Sequence, residues 1–260
     1  TFIKLSDFYG VELQPLKTLE AIKDQDCGWR HQAKPDDFKK IPGSPVAYWL
    51  GDRLREVYEL STPLGNASKV VVGLQTGEND RFMRLWHEPS LERISFRITT
   101  REDAKESQRK WFPYNKGGDF RRWYGNQTFV VNWEDDGREI RAFGTENGGR
   151  ARSRAQNTDF YFKPSLSWSK ITSGGFALRM FPPGFIFDVA GCSIFSDDPE
   201  VILGCLNSVI MTQAVNSLSP TLNFEVGQVQ EFPLLEVANH RAQIVAHVES
   251  LVDQSSSDWN

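Results

Sequence analysis

Residues 110–133 read KWFPYNKGGDFRRWYGNQTFVVNW, and their types suit the binding of a polyanion that carries flat bases. Three tryptophans, two tyrosines and three phenylalanines stand beside Lys116, Arg121 and Arg122. Cations take phosphates, and aromatic rings pack on bases or sugars. Gly117-Gly118 and Gly125-Asn126 are turn signals, where the backbone can approach a ligand closely or adopt positive φ without a Cβ penalty. The same residues also suit the edge of a Trp-rich core whose cations are merely solvated, because large aromatics are more often buried than displayed. Residue type alone does not separate the two.

Two further stretches carry polar groups of the right kind. Residues 75–81 (QTGENDR) form a turn rich in Gly, Asn and Asp, with Thr76, Asn79 and Arg81 among its polar side chains. A plain turn with an Asx cap would read the same way. In residues 143–154 (FGTENGGRARSR), Arg150, Arg152 and Arg154 alternate with small residues, a cationic segment able to follow phosphates or enter a groove. Gln156 and Asn157 follow, and side-chain amides can pair with adenine edges. Lys170 and Arg179 are expected to reach the same ligand face from neighbouring strands.

The strings WFPYNKGGDFRRWYGN and FVVNWEDDGREIR resemble the region that follows the catalytic core in the adenine methyltransferases of BREX phage-defence systems, the PglX family. Residues 41–49 (IPGSPVAYW), 73–86 (GLQTGENDRFMRLW), 168–195 (WSKITSGGFALRMFPPGFIFDVAGCSIF) and 220–233 (PTLNFEVGQVQEFP) carry the same resemblance in the same order. Gly73-Leu74-Gln75-Thr76-Gly77-Glu78-Asn79 is also similar to the G-x-x-T-G-x-N signature of TaqI-like methyltransferase recognition domains, which opens that domain and faces DNA; the resemblance implies that Thr76, Asn79 and Arg81 are candidates for phosphate or base contact. The resemblance implies a target-recognition domain: an α/β fold with a twisted mixed sheet and flanking helices. It implies a linking helical arm over 1–40, the recognition domain over 41–235, and a C-terminal helix over 236–260 leading into a further helical region. Double-stranded DNA is the implied partner, together with a methyltransferase domain of the same parent chain. Other BREX proteins, or an acidic phage mimic of DNA, are the alternative partners, which would make the chain a docking module.

Catalytic motifs are missing from the sequence. Amino-group methylation needs a glycine-rich strand–loop for S-adenosylmethionine and a [DNS]-P-P-[YFW] motif for the flipped adenine. Phe181-Pro182-Pro183-Gly184 has neither the preceding polar residue nor the following aromatic, and Ser173-Gly174-Gly175 has no strand–helix context. No cofactor is therefore expected in this chain; S-adenosylmethionine belongs to the parent's catalytic domain. His31, His87, His240 and His247 show no HExxH spacing, and no GxSxG serine is present. Asp135, Asp136 and Lys170 do not supply nuclease spacing. The acidic run 134–136 reads as a solvated turn and not as a metal site.

At 260 residues the chain can bury a proper core. Its net charge of −4 argues against an indiscriminately basic nucleic-acid binder. Charge is unevenly spread: residues 101–180 hold 15 Lys/Arg against 10 Asp/Glu, and the remainder holds 15 against 24. A basic middle in an acidic chain suits a one-faced DNA reader. Cys27, Cys192 and Cys205 lie far apart with no CxxC, as expected of reduced thiols in a cytoplasmic protein. No apolar run approaches the ~20 residues of a membrane span, and the Thr1 start suits an excised fragment.

The elements that would position these residues follow from periodicity. Helices are expected over 11–23, from Ser44-Pro45 to about 60, over 198–214 and over 237–252, with Ser219-Pro220 ending the third. Within the third, Leu206-Asn207-Ser208 is a further feature shared with recognition domains. Strands are expected at 69–74, 94–98, 129–133, 168–171 and 191–195, and as a pair at 176–180 and 185–189 around Pro182-Pro183-Gly184. Loops are expected at 24–40, over the charged run 100–110 and at 143–154, and an extended segment at 224–235.

Overall fold

The computed structural model describes residues 1–39, 41, 46–145, 148–218 and 223–259. The chain divides into two compact units, Thr1–Thr62 and Pro63–Asn260. In the first, strand β1 (Phe2–Ile3) pairs antiparallel with β2 (Arg30–His31), and helix α1 (Leu13–Lys23) falls where periodicity places it. Trp29 pins that helix: its Nε1 donates to the Lys17 carbonyl at 3.0 Å, and the Lys17 ammonium lies 4.6 Å from the indole. The expected loop 24–40 contains β2 and a short helix, α2 (Pro35–Phe38).

The next helix, α3 (Asp52–Leu60), starts later than Ser44-Pro45, which lie outside the described residues. Tyr48 is stacked on Phe2 at 4.6 Å, which holds residues near it out of helix. Asp52 then supplies the acidic first-turn residue that a helix N-terminus favours, and it pairs with Arg55 at 2.9 Å. Strand β3 (Thr62–Pro63) marks the division between the units.

The second unit is a mixed α/β fold, as expected, built on two four-stranded sheets. The first comprises β5 (Met83–Leu85), β6 (Trp111–Asn115), β7 (Phe129–Asn132) and β10 (Ile186–Phe187), in the order β10-β6-β7-β5. Only β10 and β6 run parallel in it. The second comprises β4 (Lys69–Val71), β8 (Ser165–Ser167), β9 (Arg179–Phe181) and β11 (Ser193–Phe195), all antiparallel, in the order β4-β11-β8-β9. Phe82, Phe112, Trp133, Phe162 and Phe187 form one buried aromatic core with Val71 and Val131, joining residues of both sheets. A further short strand is β12 (Pro233–Leu234).

Several expected elements resolve differently, each for a local reason. Ile94, Phe96 and Ile98 do not form a strand. Ile94 makes a single bridge to Trp111, and the next residue of β6 that would donate on that edge is Pro113, which has no N–H to extend a ladder. The expected pair around Pro182-Pro183-Gly184 is split, with β9 on β8 and β10 on β6, because two prolines cannot donate the hydrogen bonds that would close a hairpin. Around Trp168 the strand is β8, three residues earlier than expected; the Trp168 indole donates to the Phe224 carbonyl at 2.9 Å.

Helices α5 (Asn79–Phe82), α6 (Arg101–Glu106) and α7 (Glu134–Ala142) lie where a turn, a charged loop and an acidic turn are expected, and a further short helix is α4 (Leu64–Ala67). Thr100 caps α6 by accepting from the Asp103 N–H at 3.0 Å. The acidic turn forms the start of α7 itself as a left-handed run, with φ of 51°, 57° and 75° at Asp135, Asp136 and Gly137.

The expected helix 198–214 is two helices, α8 (Pro199–Leu206) and α9 (Val209–Leu218). Asn207 breaks it. Its amide accepts from the Leu178 N–H at 2.9 Å and donates to the Leu178 carbonyl at 3.0 Å, replacing a missing strand partner. Ser219-Pro220, expected to end the helix, lie outside the described residues. The segment 224–235 is not wholly extended: Glu225 and Gln228 form a reciprocal capping box that starts α10 (Val226–Gln230). The last helix, α11 (Arg241–Trp259), begins after a 3-10 turn at Ala238–His240 and packs on α8. No helix among the described residues is long and apolar enough to cross a membrane.

Candidate nucleic-acid interface

Three parallel segments end at one edge of the fold. Leu74 continues the line of β4 and bridges in parallel to Asp188, just beyond β10, and β10 lies parallel to β6. Carboxyl ends of adjacent parallel strands leave a crevice where the chain departs in different directions. Here Gln75–Asn79, Lys116 and Asp188-Val189 line a cleft of about 220 Å³. The G-x-x-T-G-x-N pattern has a mechanical explanation at this edge. A Cβ on Gly73 would lie 1.8 Å from the Phe187 carbonyl oxygen, so only glycine lets the segment cross β10. Gly77 sits at φ +75° with its missing Cβ directed at the Arg152 carbonyl.

The polar groups of the cleft are mutually bonded. Thr76 Oγ1 donates to Asn79 Oδ1 at 2.6 Å. Lys116 Nζ donates to the same oxygen at 3.3 Å and to Asp188 Oδ2 at 2.8 Å. Asp188 is wholly buried and also accepts from the Tyr114 phenol and, at 2.7 Å, from the Ala190 N–H. Burial first, then the Asp188 charge, pushes the Tyr114 phenol well above its ordinary range and keeps it a donor. Thr76 is buried, whereas Gln75, Glu78 and Asn79 are exposed.

Beside this loop stand the arginines. Gln75 and Arg154 exchange both backbone hydrogen bonds, at 2.9 and 2.8 Å. In such an antiparallel pair the two side chains leave the same face about 5.5 Å apart. The Arg81 and Arg152 guanidinium groups lie 5.1 and 5.0 Å from the Phe143 ring. Arg81 also pairs with Glu139 at 3.0 Å. Burial alone would raise the Glu139 carboxyl, but hydrogen bonds from Arg81 and Asn132 outweigh it and hold the group below the usual carboxylate range. Arg150, Arg152 and Arg154 are exposed and have no carboxylate partner among the described residues.

Other expected contacts are engaged elsewhere. Gln156 and Asn157 donate their amides to the Gly73 and Val72 carbonyls, at 3.3 and 2.8 Å, so they brace the crossing segment and do not offer an adenine-pairing edge. Lys170 pairs with Glu225 at 2.9 Å. Arg121 lies 4.6 Å over the Trp259 ring of α11, and Arg122 donates to Thr212 of α9 at 3.3 Å. Arg179 is 1% exposed; it donates to Ser169 Oγ at 3.0 Å, and burial, helped by the Arg121 charge, lowers its guanidinium to about 10. In this structure it is scaffold and does not reach a ligand face.

Ion pairs also thin out the basic middle of the chain. Arg101 and Arg141 pair with Asp136, Arg138 with Asp135, and Lys110 approaches Glu139. The acidic turn is thus consumed by arginines, and no cluster of metal-ligating groups occurs among the described residues. Half of the eight aromatics of 110–133 are core: Trp111, Phe112, Tyr114 and Trp133 are buried, Trp123, Tyr124 and Phe129 are half-buried, and Phe120 is exposed. Cys27 and Cys192 are buried free thiols, and Cys205 is a half-buried one. Sequence reasoning missed Gln75 and Asp188. The signal for Asp188 was a carboxylate inside the apolar run FIFDVAG, where a buried charge demands partners.

Comparison with known proteins agrees with the motif reading. No family model matches the chain. Over 264 aligned residues it is 39% identical to the adenine-specific methyltransferase PglX of Lacticaseibacillus casei (strain Zhang), covering 100% of this chain and 22% of that protein. It is 34% identical over 231 residues to the adenine-specific methyltransferase BrxX of Escherichia coli O9:H4 (strain HS), covering 86% of the chain and 17% of the relative. The chain thus spans about a fifth of the length of these curated relatives. Similarity of this order along the chain makes it a homologue of one segment of PglX and BrxX, both BREX adenine-specific methyltransferases.

Proposed function

We propose that this chain reads DNA sequence for an adenine-specific methyltransferase, positioning the duplex for a catalytic domain elsewhere in the protein. One observation carries the reading: exposed Gln75 and Asn79, on a braced loop, stand next to Arg150, Arg152 and Arg154, which have no carboxylate partner among the described residues. The arginines set register on phosphates, and the loop meets base edges or adjoining phosphates. Arg81 joins them when DNA competes for its pairing with Glu139, and Arg121 and Arg122 lie at the helical side as secondary contacts.

The names of the relatives imply an adenine amine as methyl acceptor, and the Pro-Pro turn of this chain does not fit that group. The Pro182-Pro183-Gly184 turn follows Phe181, without the polar side chain that would hold an adenine amine, and its Gly184 N–H is spent on the Phe162 carbonyl at 2.9 Å.

The test is DNA binding by the intact protein at several salt concentrations. Replacing Arg150, Arg152 and Arg154 together with alanine should flatten the log–log salt slope by about 2–3, since each phosphate contact contributes roughly 0.9. An unchanged slope removes the reading. Docking of another defence-system protein is a second reading, favoured by exposed Val209 and Ile210 beside the apolar groove between α8, α9 and α11. Substituting both with serine would then abolish complex assembly and leave DNA binding intact.

A further inference from the structure

The orientation of one amide follows from its neighbours. An ammonium has three donors and no acceptor, so the Asn79 atom that meets Lys116 Nζ is the oxygen. Thr76 donates to that same oxygen, which occupies its second lone pair. Lys116 cannot drift away, because wholly buried Asp188 holds it at 2.8 Å, and Asp188 is itself fixed by Tyr114 and the Ala190 N–H. Asn79 is exposed, and its free atoms are the two Nδ2 hydrogens.

We propose that Lys116 is a positioning residue, neutralised by Asp188, which makes Asn79 a donor-only contact. On DNA it selects an acceptor: guanine N7 or O6, thymine O4, or a phosphate oxygen. It does not make the paired donor–acceptor contact that an asparagine gives an adenine edge, which needs the amide oxygen free. Lys116 accordingly adds rigidity and not net charge to the reading face. The inference rests on the DNA-reading function proposed above and specifies the chemistry of one contact within it.

Binding by the intact protein to a duplex carrying its modification site tests this. Asn79→Ala loses the donors, and Asn79→Asp turns carboxylate oxygens toward the acceptor; the aspartate variant should bind roughly tenfold more weakly than the alanine variant, because two acceptors then face each other with no hydrogen between them. Acceptors on the DNA are then removed singly, by 7-deazaguanine, by a thymine analogue lacking O4, or by a methylphosphonate. At one position the wild type should fall to the level of Asn79→Ala, which then has no further effect. A base analogue giving that result assigns a base contact, and a methylphosphonate assigns a phosphate.

Lys116→Met should relax discrimination at that same position only, and Lys116→Arg should restore it in part. If Lys116→Met does not fold, the exposed Asn79 variants decide the matter alone. Coupling of Asn79 to an exocyclic amine of the DNA, or wild-type binding by Asn79→Asp while the arginine triple variant is weakened, overturns the inference and leaves the DNA-reading function standing. Wild-type binding by the Asn79 and arginine variants alike overturns both.

Discussion

Replacing Gly77 with alanine perturbs the loop 75–79 where it passes the Arg152 backbone. At φ +75° a Cβ would lie 2.5 Å from the Arg152 carbonyl oxygen and 2.8 Å from its carbon, where ordinary contact begins at 3.4 Å. The obstacle is backbone, so no change of rotamer relieves it, and residues 150–154 must retreat by about 0.9 Å. Holding alanine in the left-handed region costs about 1–2 kcal/mol. The retreat also disrupts the two Gln75–Arg154 backbone hydrogen bonds, each worth about 1 kcal/mol net. Together these give about 3 kcal/mol of local destabilisation, or roughly a hundredfold in the opening equilibrium at 1.36 kcal/mol per tenfold. Hydrogen exchange of the intact protein reads this directly: the amides of Gln75 and Arg154 should exchange about a hundredfold faster, with β6 and β7 unaffected. A change below about threefold at both amides would refute the account of how the loop is held.

Asn207→Ala removes the amide that serves both backbone groups of Leu178, leaving a buried N–H and C=O unpaired; we expect a loss of about 2–4 kcal/mol in denaturant unfolding, and a loss under ~1 kcal/mol would mean that water takes its place. Burial pushes the Cys192 thiol up to about 12, so alkylation at about pH 8 should require unfolding; ready labelling of the native protein would contradict its burial. Glu139 has a depressed carboxyl, so its contribution is present above the ordinary carboxylate range and is lost as pH falls through its folded value. The stability gap between wild type and Glu139→Gln should therefore shrink between about pH 5 and about pH 3, and a gap independent of pH would exclude the Arg81 pairing as its source. Arg179→Met should leave the salt dependence of DNA binding unchanged, because the guanidinium is buried; a flatter slope would place it on the DNA face after all.

The sequence was most legible where a local rule decides the outcome. Periodicity placed α1, β7 and the start of α8, and β-branched residues placed β4. It was least legible where a distant partner decides. Asn207 breaks a helix because Leu178, 29 residues earlier, needs its amide. Ile94, Phe96 and Ile98 alternate properly, but beyond the Ile94–Trp111 bridge the next donor position on β6 is Pro113. At the site, Thr76, Asn79 and Lys116 were found by type and do come together. Arg179 was chosen by type as well, but a cation in a strand gives no local sign of which sheet face it joins. Lys116 was read as a phosphate contact because Asp188, 72 residues later, is invisible from the stretch that contains it.

The backbone pairing of Gln75 with Arg154 separates two roles that most recognition loops combine. Both residues are located entirely by main-chain atoms, and the neighbouring Gly73, Thr76 and Gly77 carry the geometric constraints. Neither side chain is needed for the frame, so any residue compatible with extended backbone can occupy either position at little cost to folding. Positions 75 and 154 therefore form a variable pair on a constant frame, and under the DNA-reading function proposed above single substitutions there would change the sequence preferred without disturbing the fold.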